Sequence, residues 1–228
     1  MIGGPAVPER LTSQSILVVE GSHDKAFFEA ILKHLNLDAQ VTGRGGKSEL
    51  PGTIRNLPKE PIHVEKGFRA IGIIRDTDWP AETGETPTAG SDQHVASVFA
   101  AIANCLRQID FPCPAAPGQC ARSEQMDLCT GVFLCPDNRQ PGDLEALCAR
   151  SIRGRPEWRC IEALFDCARQ TADMGPTRQH EARAEVMAWI SLHEQPAAHV
   201  GIAAQKGYWV FDDPTFAELR GFLISLFA

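Results

Sequence analysis

Five acidic side chains fall where carboxylates could act together: Glu20 and Asp24 follow one short apolar run, Asp76 and Asp78 close another, and Glu145 follows a third. Carboxylates sharing a crevice repel one another, and they stay ionised together only when a cation offsets their charge. All-oxygen ligands favour Mg2+ or Mn2+, whereas Zn2+ would draw on Cys and His. The chain has no Cys-x-x-Cys and no His-Glu-x-x-His, and after His193-Glu194 the next histidine is His199, the wrong spacing for a zinc-binding helix. The other reading of these acids is as caps and turn residues, roles that Asp and Glu often take after a strand. Asp24 suits that reading best, because an acid in a first helical turn complements the helix dipole. Asp76 with Asp78 suits it least, since two like charges after a buried strand cost stability without a counter-ion.

For these acids to meet, the runs before them must be neighbouring strands. Ser-Ile-Leu-Val-Val at 15–19 is continuous, apolar and branched, which predicts a buried strand entering a tight turn at Glu20-Gly21. Residues 23–35 place Phe27, Phe28, Ile31, Leu32 and Leu35 on one helical stripe, with Ser22 available as N-cap. Residues 38–43 predict a second strand, Gly45-Gly46 a turn, and 47–57 a helix. Ala-Ile-Gly-Ile-Ile-Arg at 70–75 predicts a third strand, halted at Asp76-Thr77-Asp78. A polar loop over 80–90 leads to a helix opened by Ser91, with Val95, Val98, Phe99, Ile102 and Leu106 inward. The proline-rich stretch 110–125 reads as an irregular connection to a fourth strand at 131–135, after which Asp143 caps a helix carrying Leu144, Glu145, Leu147 and Cys148.

This alternation predicts an α/β fold with a four-stranded, mainly parallel sheet covered by helices on both faces. Ligands of such sheets bind beyond the carboxyl ends of the strands, which is where the acids fall. From residue 156 the pattern turns helical. Trp158, Ile161, Leu164 and Phe165 form one stripe and Val186, Trp189 and Ile190 another, and Asp213-Pro214 starts a last helix with Phe216, Leu219, Phe222, Leu223 and Leu226 inward. The expected organisation is an α/β domain over 13–150 and a helical extension over 151–228 packed on it.

With 228 residues, 43% of them hydrophobic and 22% charged, the chain has enough apolar surface for a full core. Its net charge of −7 argues against holding nucleic acid by bulk electrostatics and leaves only local patches for that role. Arg44 with Lys47 is one; Arg150, Arg153, Arg155 and Arg159 are another, unless they are simply a solvated surface. Residues 1–8 lack the pattern of a secretory signal, and no run approaches the roughly 18 apolar residues of a membrane span, which predicts a cytoplasmic protein with no membrane partner. The eight cysteines sit singly in apolar patterns, as Cys105, Cys148 and Cys167 do, and are expected to be buried thiols rather than disulfides.

Val-Val-Glu-Gly-Ser-His-Asp at 18–24, followed by Ile-Ile-Arg-Asp-Thr-Asp at 73–78, resembles the Toprim domain of topoisomerases, DnaG-type primases and OLD-family nucleases. That domain's two motifs are a Glu-Gly after the first strand and an Asp-x-Asp after the third, and the resemblance covers about 13–150. It implies a Toprim-like Rossmannoid fold and a Mg2+ or Mn2+ site on Glu20, Asp76 and Asp78. An acid four residues after the Glu is similar to the nuclease branch, which implies Asp24 as a second-metal ligand and Gly142-Asp143-Leu144-Glu145 as the later acidic motif. Lys206 either stands for the basic residue that this branch places near its C-terminal end or is an exposed lysine of the Gln-Lys-Gly turn.

Departures prune the list. Tyr208 is the only tyrosine and the chain is too short for a topoisomerase; neither a zinc module and polymerase body nor the ATPase of OLD nucleases is visible. Gly43-Arg44-Gly45-Gly46-Lys47-Ser48 resembles a P-loop whose first glycine is replaced by Val41, leaving phosphate contact through Lys47 and Arg44, or a plain turn. The chain as a whole is similar to stand-alone Toprim-like proteins of unassigned function. The expected activity is metal-dependent cleavage of phosphodiesters in DNA or RNA, with Glu20, Asp76, Asp78 and Lys206 catalytic. The alternative is an interaction module working with a separate ATPase or nucleic-acid-processing partner. Ile-Ile-Arg-Asp-Thr-Asp also resembles the nucleophile motif of haloacid-dehalogenase phosphatases, a reading disfavoured by the Glu-Gly strand before it.

Overall fold

The computed structural model describes residues 10–43, 46, 48–79, 91–172 and 174–228. All four expected strands form: β1 (Ser15–Val19), β2 (Gln40–Gly43), β3 (Ala70–Asp76) and β5 (Leu128–Cys135). The sheet has a fifth strand that the sequence did not announce, β4 (Cys120–Ser123), and its order is β2-β1-β3-β5-β4. β1 pairs in parallel with β2 and β3, β3 in parallel with β5, and only the edge strand β4 runs antiparallel. What reads as an irregular proline-rich connection therefore ends in a strand that caps one edge. The sheet is α/β, five-stranded and mostly parallel, one strand more than expected.

Strand alternation divides the core into two layers. Ile16, Val18, Ile71, Ile73, Val132 and Leu134 face one side, where they pack with α2 (Leu50–Asn56) and α4 (Ser91–Gln108) through Leu50, Ile54, Val95, Ile102 and Leu106. Leu17, Val19, Ile74, Phe133 and Cys135 face the other. There they meet α1 (Ser22–His34), α5 (Leu144–Ile152), α7 (Arg178–Ser191), α8 (Val200–Gln205) and α9 (Ala217–Phe227). Full burial of each such side chain contributes about 1.5 to 3 kcal/mol, so both layers are needed to offset the entropy of ordering the chain. The helices after residue 156 thus share one core with α1 and the sheet.

Gly72 and Gly131 are paired in register on adjacent strands and make a flat seat for α9. A Cβ on Gly131 would stand 2.7 Å from Phe222, and one on Gly72 would stand 2.9 Å from Leu226 and 2.5 Å from Leu17. Glycine here serves close packing of a helix on the sheet.

Elsewhere the boundaries shift for local reasons. The helix expected from Lys47 begins at Leu50, with Pro51 in its first turn where a missing N–H costs nothing, and a further helix, α3 (Pro61–Lys66), follows a 3-10 turn at Leu57–Lys59. α6 (Trp158–Ala172) buries Ile161 but leaves Leu164 57% exposed, contrary to the expected stripe, and Cys160 and Cys167 are exposed rather than buried thiols. No helix among the described residues is long and apolar enough to cross a membrane.

Candidate metal centre

Parallel pairing of β1 with β3, and of β3 with β5, delivers Glu20, Asp76 and the segment after Cys135 to the same edge of the sheet. Asp76 is tied to α5: the Leu144 N–H donates to its Oδ1 at 3.0 Å. Thr77 is 2% exposed and acts as a rivet. Its Oγ1 donates to the Cys135 carbonyl at 2.8 Å and accepts the Gly142 N–H at 2.9 Å, while its own carbonyl accepts from His94 Nε2 at 2.6 Å. The Asp78 N–H donates to the Gly142 carbonyl at 2.7 Å with φ at 54°, a left-handed conformation that Asp tolerates better than most residues. Asp76-Thr77-Asp78 is therefore pinned to the loop before α5 and to the start of α4.

The other side is built as tightly. The Gly21 N–H donates to Asp24 Oδ2 at 3.0 Å, so Asp24 does cap its own helix as the plainer reading of the sequence had it, Gly21 rather than Ser22 being the N-cap. The Gly46 N–H donates to the Glu20 carbonyl at 2.9 Å, drawing the turn after β2 across the end of β1. A Cβ on Gly43 would stand 2.7 Å from the Gly21 carbonyl, so only glycine permits that crossing. Glu20, Gly21, Ser22, His23, Asp24 and Gly46 line a cleft of about 360 Å3.

Negative charge crowds around Asp76. Burial raises its carboxyl well above the ordinary range, and the negative charges of Asp24, Glu20, Asp143 and Glu145 raise it further. Asp143 is pushed up to about 6 by burial and by Glu145, with the Ala146 N–H pulling back and Asp78 adding to the rise. Glu145 is raised by burial and by Asp24, against its own backbone hydrogen bond, Arg183 and His23. The five expected acids thus act on a common region, and Asp143, expected as a helix cap and within the later acidic motif, is a sixth. Gly-Asp-Leu-Glu already carried that signal. Beside Glu20 is a cation: Arg75 Nε lies 3.6 Å from Glu20 Oε1.

The donor set is all carboxylate and suits a hard cation such as Mg2+ or Mn2+. The acids surround Asp76 at electrostatic range; among the described residues no three Asp, Glu, His or Cys side chains are already grouped as a metal's ligands. A histidine pair borders the cleft without having been anticipated. His23 and His199 stack with ring centroids 3.9 Å apart and planes at 17°, and burial followed by the charge of His23 holds His199 below its ordinary value. Gly201 makes this possible, because a Cβ there would stand 2.3 Å from the His23 carbonyl. Nothing in the spacing of residues 23 and 199 could have revealed the contact.

The expected basic residues stand elsewhere or outside the described residues. Lys206 caps the end of α8 opposite His199, where its ammonium donates to the Gln195 carbonyl at 2.9 Å beside Tyr208. Arg44 and Lys47 lie outside the described residues. Of the second basic cluster, Arg153, Arg155 and Arg159 line one cleft with Trp158 and Glu162, while Arg150 pairs with Asp137 at 2.7 Å, Arg153 with Glu185 at 2.9 Å, and Arg155 lies over the Trp189 ring at 4.9 Å.

The family described as "Protein of unknown function (DUF3226)" matches residues 14–228. No curated relative matches the chain. Among solved structures it is similar to the C-terminal region of the Xanthomonas campestris pv. campestris OLD protein, at 14% identity and a TM-score of 0.34, over 94% of this chain and 86% of that one. It is also similar to the C-terminal region of the Burkholderia pseudomallei OLD protein, at 11% identity and a TM-score of 0.36, over 96% of this chain and 91% of that one. The functional reading rests on the chain's own residues.

Proposed function

The chain belongs to the family described as protein of unknown function DUF3226, and from that premise we propose that it is a Mg2+- or Mn2+-dependent phosphodiesterase acting on nucleic acid. The observation that carries this reading is Asp76, a carboxyl at the end of the central strand whose ionisation is opposed by burial and by four further acids. Such crowding costs stability unless a cation offsets it, and the C-terminal edge of a parallel sheet is where a ligand would bring one. Glu20, Asp76 and Asp78 would hold one ion, with Asp24 and Glu145 helping to hold a second. A divalent ion supplies Lewis acidity toward a phosphoryl oxygen and the positive charge that the acids lack.

The chain's own groups do the rest. The Leu144 N–H fixes one Asp76 oxygen, Arg75 orients Glu20, and Thr77 pins the turn that carries the two aspartates. Arg44 and Lys47, which follow β2 in the sequence, are assigned to the phosphate. Lys206 is not given that role, because its ammonium is engaged at Gln195. The test is incubation of the purified chain at low salt with single-stranded, double-stranded and structured DNA and RNA, with Mg2+ or Mn2+. Cleavage that disappears in Glu20→Gln and Asp76→Asn supports the reading, and no cleavage of any substrate by the wild-type chain overturns it.

A second reading is favoured by the acids not being grouped as ligands and by the net charge of −7. In it the chain is an interaction module, completed by a separate ATPase or nucleic-acid-processing partner. A stable partner in a pulldown, with the assembly's activity unchanged by Glu20→Gln, would select it.

A further inference from the structure

The turn between α5 and α6 gathers three arginines around one cleft. Arg153, Arg155 and Arg159 line it together with Trp158 and Glu162, and its volume of about 490 Å3 falls within the roughly 300 to 1,000 Å3 of ligand pockets. In a chain whose net charge is −7, three cations against one carboxylate are a local reversal of sign. The reversal is confined to this turn, because the adjoining hollow, which shares Trp158, carries Asp166, Glu181 and Glu185.

Two of the arginines are already held. Arg153, the C-cap of α5, donates to Glu185 of α7 at 2.9 Å and lies over the Trp158 ring at 5.7 Å. Arg155 donates through Nε to the Ser151 carbonyl at 3.4 Å and lies over the Trp189 ring at 4.9 Å. A guanidinium has five N–H donors, so these bonds fix where each arginine stands and leave it donors to spare. Bracing α5 against α7 accounts for this pair. It does not account for Arg159, which is exposed, makes no ion pair with any described residue, and stands in the first turn of α6, where the helix dipole disfavours a cation. That first turn holds no acid to offset it, and Glu157 just before it accepts the Trp189 indole N–H at 3.1 Å.

An anion would supply the missing countercharge, and guanidinium forks match phosphate oxygens. The indole narrows the choice of anion. Bases of unpaired nucleic acid stack on aromatic rings and on guanidinium planes alike, and Trp158 with Arg153 over it supplies both. A duplex keeps its bases stacked on one another and offers the cleft only phosphates. α5 also ties the cleft to the acids: the Leu144 N–H at its start holds Asp76, and Arg153 ends it about 14 Å further along the axis. A few nucleotides of single strand cover that distance.

We propose that the cleft at the α5–α6 turn is a subsite for single-stranded nucleic acid, in which Arg153, Arg155 and Arg159 take backbone phosphates and Trp158 takes a base. The choice of ligand rests on the phosphodiesterase reading above, whereas the site rests on the cleft itself.

The test measures binding without chemistry. In EDTA, fluorescence anisotropy of labelled single strands of DNA and RNA about 12 nucleotides long should show binding by the full chain at low salt. Log K should fall against log salt with a slope of about −2, the value for three phosphate contacts. Arg159→Ala should reduce that slope by about 0.7, and Arg159→Glu should weaken binding by about tenfold or more. Arg159 is exposed and makes no ion pair, so both variants fold. Trp158→Leu keeps an apolar side chain against the core and should cost about tenfold through the lost stack. A duplex of the same length and base-free polyphosphate should bind more weakly than the single strand. No binding, binding indifferent to Arg159→Glu, or duplex or polyphosphate bound as tightly as the single strand would each overturn the subsite. A chain that binds in EDTA but cleaves nothing with Mn2+ loses the phosphodiesterase reading alone, and one that cleaves while its binding ignores Arg159→Glu loses the subsite alone.

Discussion

Glu20 Oε1 stands 3.6 Å from Arg75 Nε, both atoms buried, so the first acid of the crevice faces the guanidinium that immediately precedes Asp76 in β3. Strand alternation sends Arg75 and Asp76 to opposite sides of the sheet, which lets one short segment carry an acid of the site and a cation that steadies another acid. Removing a partner from a buried ion pair leaves an uncompensated charge, although the 3.6 Å separation places this pair below the strongest of its kind. Arg75→Met should therefore cost about 2 kcal/mol of stability in chelator. Urea unfolding with and without Mn2+ checks this, and the loss should shrink when Mn2+ is present.

Asp76→Asn should move stability and activity in opposite directions. An amide keeps an oxygen to accept the Leu144 N–H while removing the charge that Asp24, Glu20, Asp143 and Glu145 oppose. The metal-free variant should be more stable than wild type by about 1 kcal/mol. The phosphodiester cleavage proposed above should fall by about two orders of magnitude or more. Parallel thermal melts and cleavage assays read both, and a destabilised variant would contradict the crowding that the site is built on.

Legibility in the sequence followed how each element is stabilised. β1 and β3 could be read because they are buried on both faces and end on acids, so composition alone marks them. β4 could not: Cys120–Ser123 is a half-exposed antiparallel edge, defined by pairing with β5 rather than by an apolar run. α8, six residues long, exists because Gly201 lets it lie against α1, a contact between segments far apart in the chain. In α6 the period was right and the exposed edge was not, since Leu164 lies next to the buried stripe and only tertiary packing decides which neighbours are covered. The acids themselves were found by motif, whereas Arg75 at Glu20 and the His23–His199 stack were not, because pairing depends on register and helix docking.

Glycines separate packing from propensity. Gly201→Ala would place a methyl 2.3 Å from the His23 carbonyl and 2.7 Å from Ala26, forcing α8 away from α1. The expected cost is about 2 to 3 kcal/mol, with loss of the His23–His199 stack. Gly52, inside α2, has nothing within 4 Å of such a methyl, so Gly52→Ala should stabilise by about 0.5 to 1 kcal/mol. Denaturant midpoints for the two variants should shift in opposite directions, with histidine NMR resonances moving only in the first.

Acid sensitivity should trace in part to Asp137. Burial pushes its carboxyl up, but the Arg150 guanidinium at 2.7 Å and the N–H groups of Gln140 and Arg139 outweigh burial and hold it below the ordinary range. A carboxyl whose folded value is depressed contributes stability that is fully present above its unfolded value near 3.8, and that is lost as pH falls through the folded value. Asp137→Asn should cost about 1 to 2 kcal/mol at neutral pH. The cost should vanish in strong acid, where the wild-type carboxyl is protonated too. Unfolding free energies measured from about pH 7 down to about pH 2 should show the two proteins converging at the acid end; a constant gap would assign the loss to packing rather than to charge.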